Sequence, residues 1–168
     1  MHPIVKLAKD TVEKYISTGE SPSPPEEPTP EMSEKAGVFV SIKKADELRG
    51  CIGTYSPATD NVAMEVIQNA ISAATQDPRF SPVTRSEFGE LEYSVDVLLP
   101  PEKVNSSDAL NPKRYGIIVR KGNHRGLLLP DLDGVNTVEE QIRIAALKAG
   151  LFSAEDAEIY RFEVKRYK

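Results

Sequence analysis

Gly37-Val38-Phe39-Val40-Ser41-Ile42, followed after a short polar break by Leu48-Arg49-Gly50-Cys51-Ile52-Gly53-Thr54, is the stretch whose reading decides the fold. The first run is rich in β-branched and aromatic residues, which suit a pleated, half-buried surface. Lys43 to Glu47 is polar and long enough to turn, so Leu48 to Tyr55 reads as the antiparallel partner of Val38 to Ile42. The returning strand holds the chain's one cysteine, Cys51, between Gly50 and Gly53, with Arg49 just upstream. Glycine has no Cβ and tolerates positive φ, so backbone or a ligand can come close on either side of that thiol. Two readings of Cys51 stand open. It is a thiol exposed on a sharp bend with amide N–H groups around it, or a small apolar side chain filling a tight corner.

Outward from this hairpin the pattern alternates between helices and strands. Ile4, Leu7, Ala8, Thr11, Val12, Tyr15 and Ile16 recur at helical spacing, which predicts a helix over residues 3–17 capped by Gly19. Residues 20–31 are proline-rich and read as an extended strap joining that helix to a main body over 37–168. After the hairpin, Thr59 or Asp60 is placed to cap a helix whose stripe is Val62, Ala63, Val66, Ile67, Ala70, Ile71 and Ala74. Asp77-Pro78 ends it.

Leu91 to Leu99 alternates with the period of a strand, and Pro100-Pro101 closes it. Tyr115 to Pro130 reads as a hairpin with a tip over Lys121 to Arg125. Thr137-Val138-Glu139-Glu140 has the form of a capping box, opening a helix that Gly150 closes. Ser153 to Asp156 reads as one helical turn, and Tyr160 to Lys165 as a final strand. No internal repeat is present. Antiparallel strands interspersed with helices give an α+β class, an antiparallel sheet flanked by helices, in a single domain over 1–168.

Composition bounds the function. A chain of 168 residues with 39% hydrophobic and 28% charged content can bury a core of its own without disulfides. One cysteine excludes an internal disulfide and suits a reducing compartment, and no stretch reaches the ~20 apolar residues of a membrane span. Charges at the start of the chain interrupt any signal-peptide core, so a cytoplasmic location is expected. The net charge of −5 speaks against a nucleic-acid partner, although basic residues gather at Lys113-Arg114, Arg120-Lys121 with Arg125, and Lys165-Arg166-Lys168.

These residues carry a family resemblance. Leu48-Arg49-Gly50-Cys51-Ile52-Gly53 matches without change the signature hexapeptide of the AMMECR domain family, relatives of the AMME syndrome candidate protein. In prokaryotes these are called AmmeMemoRadiSam system protein A. Asn69-Ala70, Ala73-Ala74, Asp77-Pro78-Arg79-Phe80 with Pro82, Ser94-Val95, Gly126 to Pro130 and Lys148-Ala149-Gly150 follow in the family's order, so the chain resembles it from about Gly37 to Lys168. The resemblance implies an α+β fold with a smaller α/β subdomain packed beside the main sheet. It also implies association with Memo-like and radical-SAM proteins. It implies no particular reaction.

The residues permit two classes of function. In the first, Cys51 is a nucleophile of an enzyme acting on a small molecule; Arg49 shares a strand face with it, and Asp77 stands by as a polar partner. The amides around Ile52, Gly53 and Thr54 would serve as oxyanion donors if a bend aims them at one place. In the second, Gly50, Gly53, Thr54 and Arg79 line a groove that grips a partner segment or an anionic ligand without turnover. Histidine offers little help as a base, since His2 lies at the terminus and His124 at a hairpin tip; Lys148 or Asp77 would have to serve. No metal is expected, because one cysteine and two scattered histidines do not make a zinc set. No Walker loop or dinucleotide fingerprint is present, so no cofactor is expected.

Overall fold

The computed structural model describes residues 1–168, which divide into two compact units. The first comprises Met1–Leu98 and Lys165–Lys168, the second Leu99–Val164. No helix is long and apolar enough to cross a membrane.

The first unit is built on the expected hairpin. Strand β1, Val38–Lys44, pairs antiparallel with β2, Glu47–Thr54, and on its other side with β3, Leu91–Leu98. With β8, Val164–Tyr167, the sheet order is β2-β1-β3-β8, so β2 is an edge. Val38, Val40 and Ile42 of β1 and Tyr93, Val95 and Val97 of β3 point to one face and are buried. Helices α1, Pro3–Thr18, and α3, Val62–Thr75, cover that face with Ile4, Ala8, Val12, Val62, Val66 and Ala70. A one-turn helix α2, Pro30–Ser33, follows the strap and buries Met32.

The second unit holds a sheet of order β4-β7-β5-β6, made of Glu102–Val104, Glu158–Phe162, Gly116–Lys121 and His124–Leu128, all antiparallel. Helix α4, Val138–Lys148, packs on it through Ala145 and Ala146. Thr137 caps α4 as its sequence predicts, with its side chain accepting from the Glu140 amide.

Several local expectations change. The cap of α3 is Asn61, whose side chain accepts from the Met64 amide, because Thr59 is turned toward Glu65 instead. The β5–β6 turn is tighter than Lys121 to Arg125, since Lys121 and His124 are themselves paired and Gly122 takes the positive φ. Residues 153–156 form no helical turn: Asp156 adopts a left-handed φ of 60° and breaks it. The last strand is two strands, β7 in one sheet and β8 in the other, with Glu163 between them.

Candidate functional site

The register of β1 against β2 and β3 sets the site. Ser41 lies opposite Cys51 on one side and Ser94 on the other, and Phe39 lies opposite Gly53 and Asp96. Directly opposed residues share a sheet face. A thiol and two hydroxyls therefore form one row on the face away from α3, with Phe39 and Asp96 in the next. Cys51 is half-buried, and its Sγ lies 3.2 Å from Ser41 Oγ. Asp96 is buried and accepts a two-pronged pair from Arg166 at 2.7 Å on each oxygen.

The glycines earn their places by proximity alone. Neither Gly50 nor Gly53 has a positive φ, and β2 runs through both without a sharp bend. A Cβ on Gly50 would overlap the Ala73 carbonyl oxygen of α3, and one on Gly53 would overlap the Phe39 ring. The helix thus lies hard against the strand on one face, and an aromatic ring lies over it on the other. A straight strand sends successive N–H groups to opposite edges, so the amides of Ile52, Gly53 and Thr54 do not converge and make no oxyanion hole.

Because β2 is an edge, the Cys51 N–H faces outward, and Asp77 takes it. Its Oδ2 accepts from the Cys51 amide at 3.0 Å. Asp77 is 4% exposed, and it also accepts from the Arg79 amide at 3.1 Å and from the Arg79 side chain, Nε at 3.0 Å and Nη2 at 2.7 Å. Arg79 Nη2 in turn donates to the Cys51 carbonyl at 3.3 Å. The loop after α3 is thereby clamped to the Cys51 backbone through both its N–H and its carbonyl. Arg79 hydrogen bonds, helped by the Cys51 and Arg79 amides, outweigh burial and hold the Asp77 carboxyl at about 2. At neutral pH it is ionised and fully occupied. Arg79 is raised above its ordinary value, mainly by Asp77 and to a smaller degree by the Cys51 thiol. Its side chain is half-exposed, and its Nη1 donates no hydrogen bond within the protein.

Arg49 has another task. The register slips between Ile42 and Lys43, leaving Arg49 as an extra residue on β2, and such a bulge re-aims its side chain. Its guanidinium forks onto Glu87, at 2.9 and 3.1 Å, and also donates to the carbonyls of Ser81 and Pro82. Arg49 draws the Glu87 carboxyl down to about 2. Thr54 points to the opposite face of the sheet, toward α3, where its hydroxyl donates to Glu65 at 2.6 Å and accepts from Asn69 at 3.2 Å.

Of the expected site residues, the structure brings Cys51, Asp77 and Arg79 together, with Gly50 and Gly53 shaping the strand around them. Arg49 and Thr54 are turned to other partners. The histidines lie elsewhere: His2 caps α1 and stacks on Tyr167, and His124 Nδ1 meets the Ala149 carbonyl. Lys148 Nζ donates to the Leu127 carbonyl. Ser41 and Phe39 were not singled out by sequence. The signal available was their place at the outward-facing positions of an otherwise inward-packing strand.

The AMMECR1 family matches this chain over residues 5–167. The chain belongs to the AMMECR1 family. A Thermotoga maritima protein is 53% identical over 170 residues, covering 99% of this chain and 98% of that one. A Clostridium acetobutylicum protein is 51% identical over 168 residues, but this AMMECR1-family chain spans 36% of its length. In structure the chain is similar to an uncharacterized protein, PH0010, from Pyrococcus horikoshii. The TM-score is 0.89 at 35% identity, covering 97% of this chain and 88% of that one.

Proposed function

We propose that this AMMECR1-family chain is a cysteine-dependent enzyme acting on a small anionic molecule. Cys51 is the nucleophile and Arg79 the group that holds the substrate's anion. The observation that supports this most is the meeting of a half-buried thiol with the Ser41 hydroxyl across the strand pair and, at the adjoining edge of β2, a guanidinium with an unspent Nη1. A nearby cation and a hydroxyl donor both favour the thiolate, the form that attacks. Nη1 presents two N–H groups suited to a carboxylate or phosphate. Asp77 is a positioning residue that fixes both Cys51 and Arg79. The family resemblance adds Memo-like and radical-SAM proteins as working partners, which co-purification of the co-expressed set would test.

The site lacks a histidine base, and this favours a second reading in which the same groups grip an anionic ligand without turnover. Competing alkylation separates the two. Native Cys51 is expected to react at pH 7 faster than the denatured chain, and faster with iodoacetate than with neutral iodoacetamide. Arg79→Gln should erase that preference for the anion. Labelling seen only after denaturation would remove the nucleophile, and a Cys51→Ser protein that still binds small anions would then leave the binding reading in place.

A further inference from the structure

A second surface lies between the proline-rich strap and α3, within the first unit. It is a groove of about 530 Å³ lined on α3 by Met64, Ile67 and Ile71 alongside the polar Gln68 and Ser72, and on the strap by Pro22 and Pro24. Met64 is exposed although it is a large apolar side chain. From Met64 to Gln76 the floor follows the helix for about 18 Å at 1.5 Å per residue.

Charge is one-sided along both walls. No Lys, Arg or His occurs from Tyr15 to Glu34, nor from Gly50 to Pro78. Glu20 and Asp60, which adjoin the lining residues Ser21 and Thr59 in sequence, are exposed, and neither forms an ion pair. Apolar side chains of α3 with exposed, unneutralised carboxylates next to the groove are complementary to a segment that is apolar on one side and basic on the other. The walls also decide the backbone of that segment. Pro22, Pro24 and Pro25 have no N–H, and α3 spends its own backbone groups internally, so neither wall offers a strand edge to pair with. An occupant finds no ladder partner here and gains from a backbone that closes its own hydrogen bonds. A helix does so.

We propose that this groove docks a basic amphipathic helix of a partner protein, about three turns long, with apolar anchors on Met64, Ile67 and Ile71 and Lys or Arg toward the strap. The strap is suited to the task because its prolines hold it extended before binding, which lowers the ordering cost.

The test uses the full chain and a fluorescein-labelled peptide of about 14 residues, with Leu at i, i+4, i+7 and i+11 and Lys between them. Anisotropy should show saturable binding that weakens as salt is raised. Amide shifts should fall on Ser21, Ser23 and residues 64–76. Met64→Glu, at an exposed position, should weaken binding about tenfold or more while circular dichroism stays unchanged; the Glu20→Lys, Asp60→Lys double variant should do likewise through charge. The proposal is overturned if the peptide fails to bind, or if a version with Ser in place of Leu binds equally well. It is also overturned if a Leu/Glu peptide binds equally well, or if the shifts map to another face.

Discussion

Asp77→Asn removes one charge from the clamp behind Cys51 while keeping its size. The folded carboxyl sits at about 2 against an ordinary 3.8, because Arg79 and two amides stabilise its ionised form. A depression of that size corresponds to about 2 kcal/mol of stability at neutral pH, at 1.36 kcal/mol per pKa unit. Since the folded value lies below the unfolded one, this contribution is complete above about pH 5 and fades as pH falls through 4 toward 2. Glu87 is depressed in the same direction by Arg49, but it is present in both proteins and cancels in the difference. Urea unfolding of the parent and Asp77→Asn at pH 7, 4 and 2.5 should therefore show a gap of about 2 kcal/mol that shrinks steadily with acidification. A gap below about 0.5 kcal/mol at pH 7, or one that persists undiminished at pH 2.5, would refute the reasoning. The same variant should also slow alkylation of Cys51, because Arg79 loses the carboxylate that orients it.

Gly50→Ala should destabilise by about 2 kcal/mol or more, because the new methyl meets the Ala73 carbonyl, backbone that cannot swing aside; thermal unfolding would show it. Glu65 is fully buried and accepts from the amides of Ala58 and Thr59 and from the hydroxyls of Thr54 and Thr59. Glu65→Ala leaves those donors stranded, costing about 3 kcal/mol, and hydrogen exchange at Ala58 and Thr59 should quicken. Tyr93 buries its hydroxyl without a partner, so Tyr93→Phe should be neutral or stabilising by about 1 kcal/mol in urea titrations. Arg49→Lys cannot fork onto Glu87, and a loss of about 1 kcal/mol is expected at pH 7, shrinking as Glu87 begins to protonate toward pH 2 but not vanishing, since the bonds to Ser81 and Pro82 do not titrate.

Much of the fold was legible in local pattern. The β1–β2 hairpin follows from two strand-like runs around a polar break, β3 from alternation over 91–98, and α4 from its capping box. What stayed hidden depends on long-range register. Sequence places Cys51 between glycines, but only the pairing of β1 with β2 puts Ser41 across from it. The bulge that sends Arg49 to Glu87 is equally silent, since an extra residue in a strand leaves no mark in composition. Gly50 and Gly53 suggested a bend; their reason is the nearness of α3 and Phe39, which no local rule encodes. Alternation from Tyr160 to Lys165 likewise runs unbroken through Glu163, where the chain changes sheets.

That change of sheets has a consequence for synthesis. The second unit starts at Leu99 and ends at Val164, and the Leu99 amide donates to the Glu163 carbonyl at 2.9 Å, so it enters and leaves at neighbouring points. The first unit is accordingly interrupted: everything up to Leu98 emerges early, yet its fourth strand arrives last. Until residues 164–167 have been made, β3 has an open edge and Asp96 has no Arg166. A nascent chain halted at residue 160 would carry a complete hairpin, both covering helices and an unguarded strand. The N-terminal half, although first made, is among the last parts able to close.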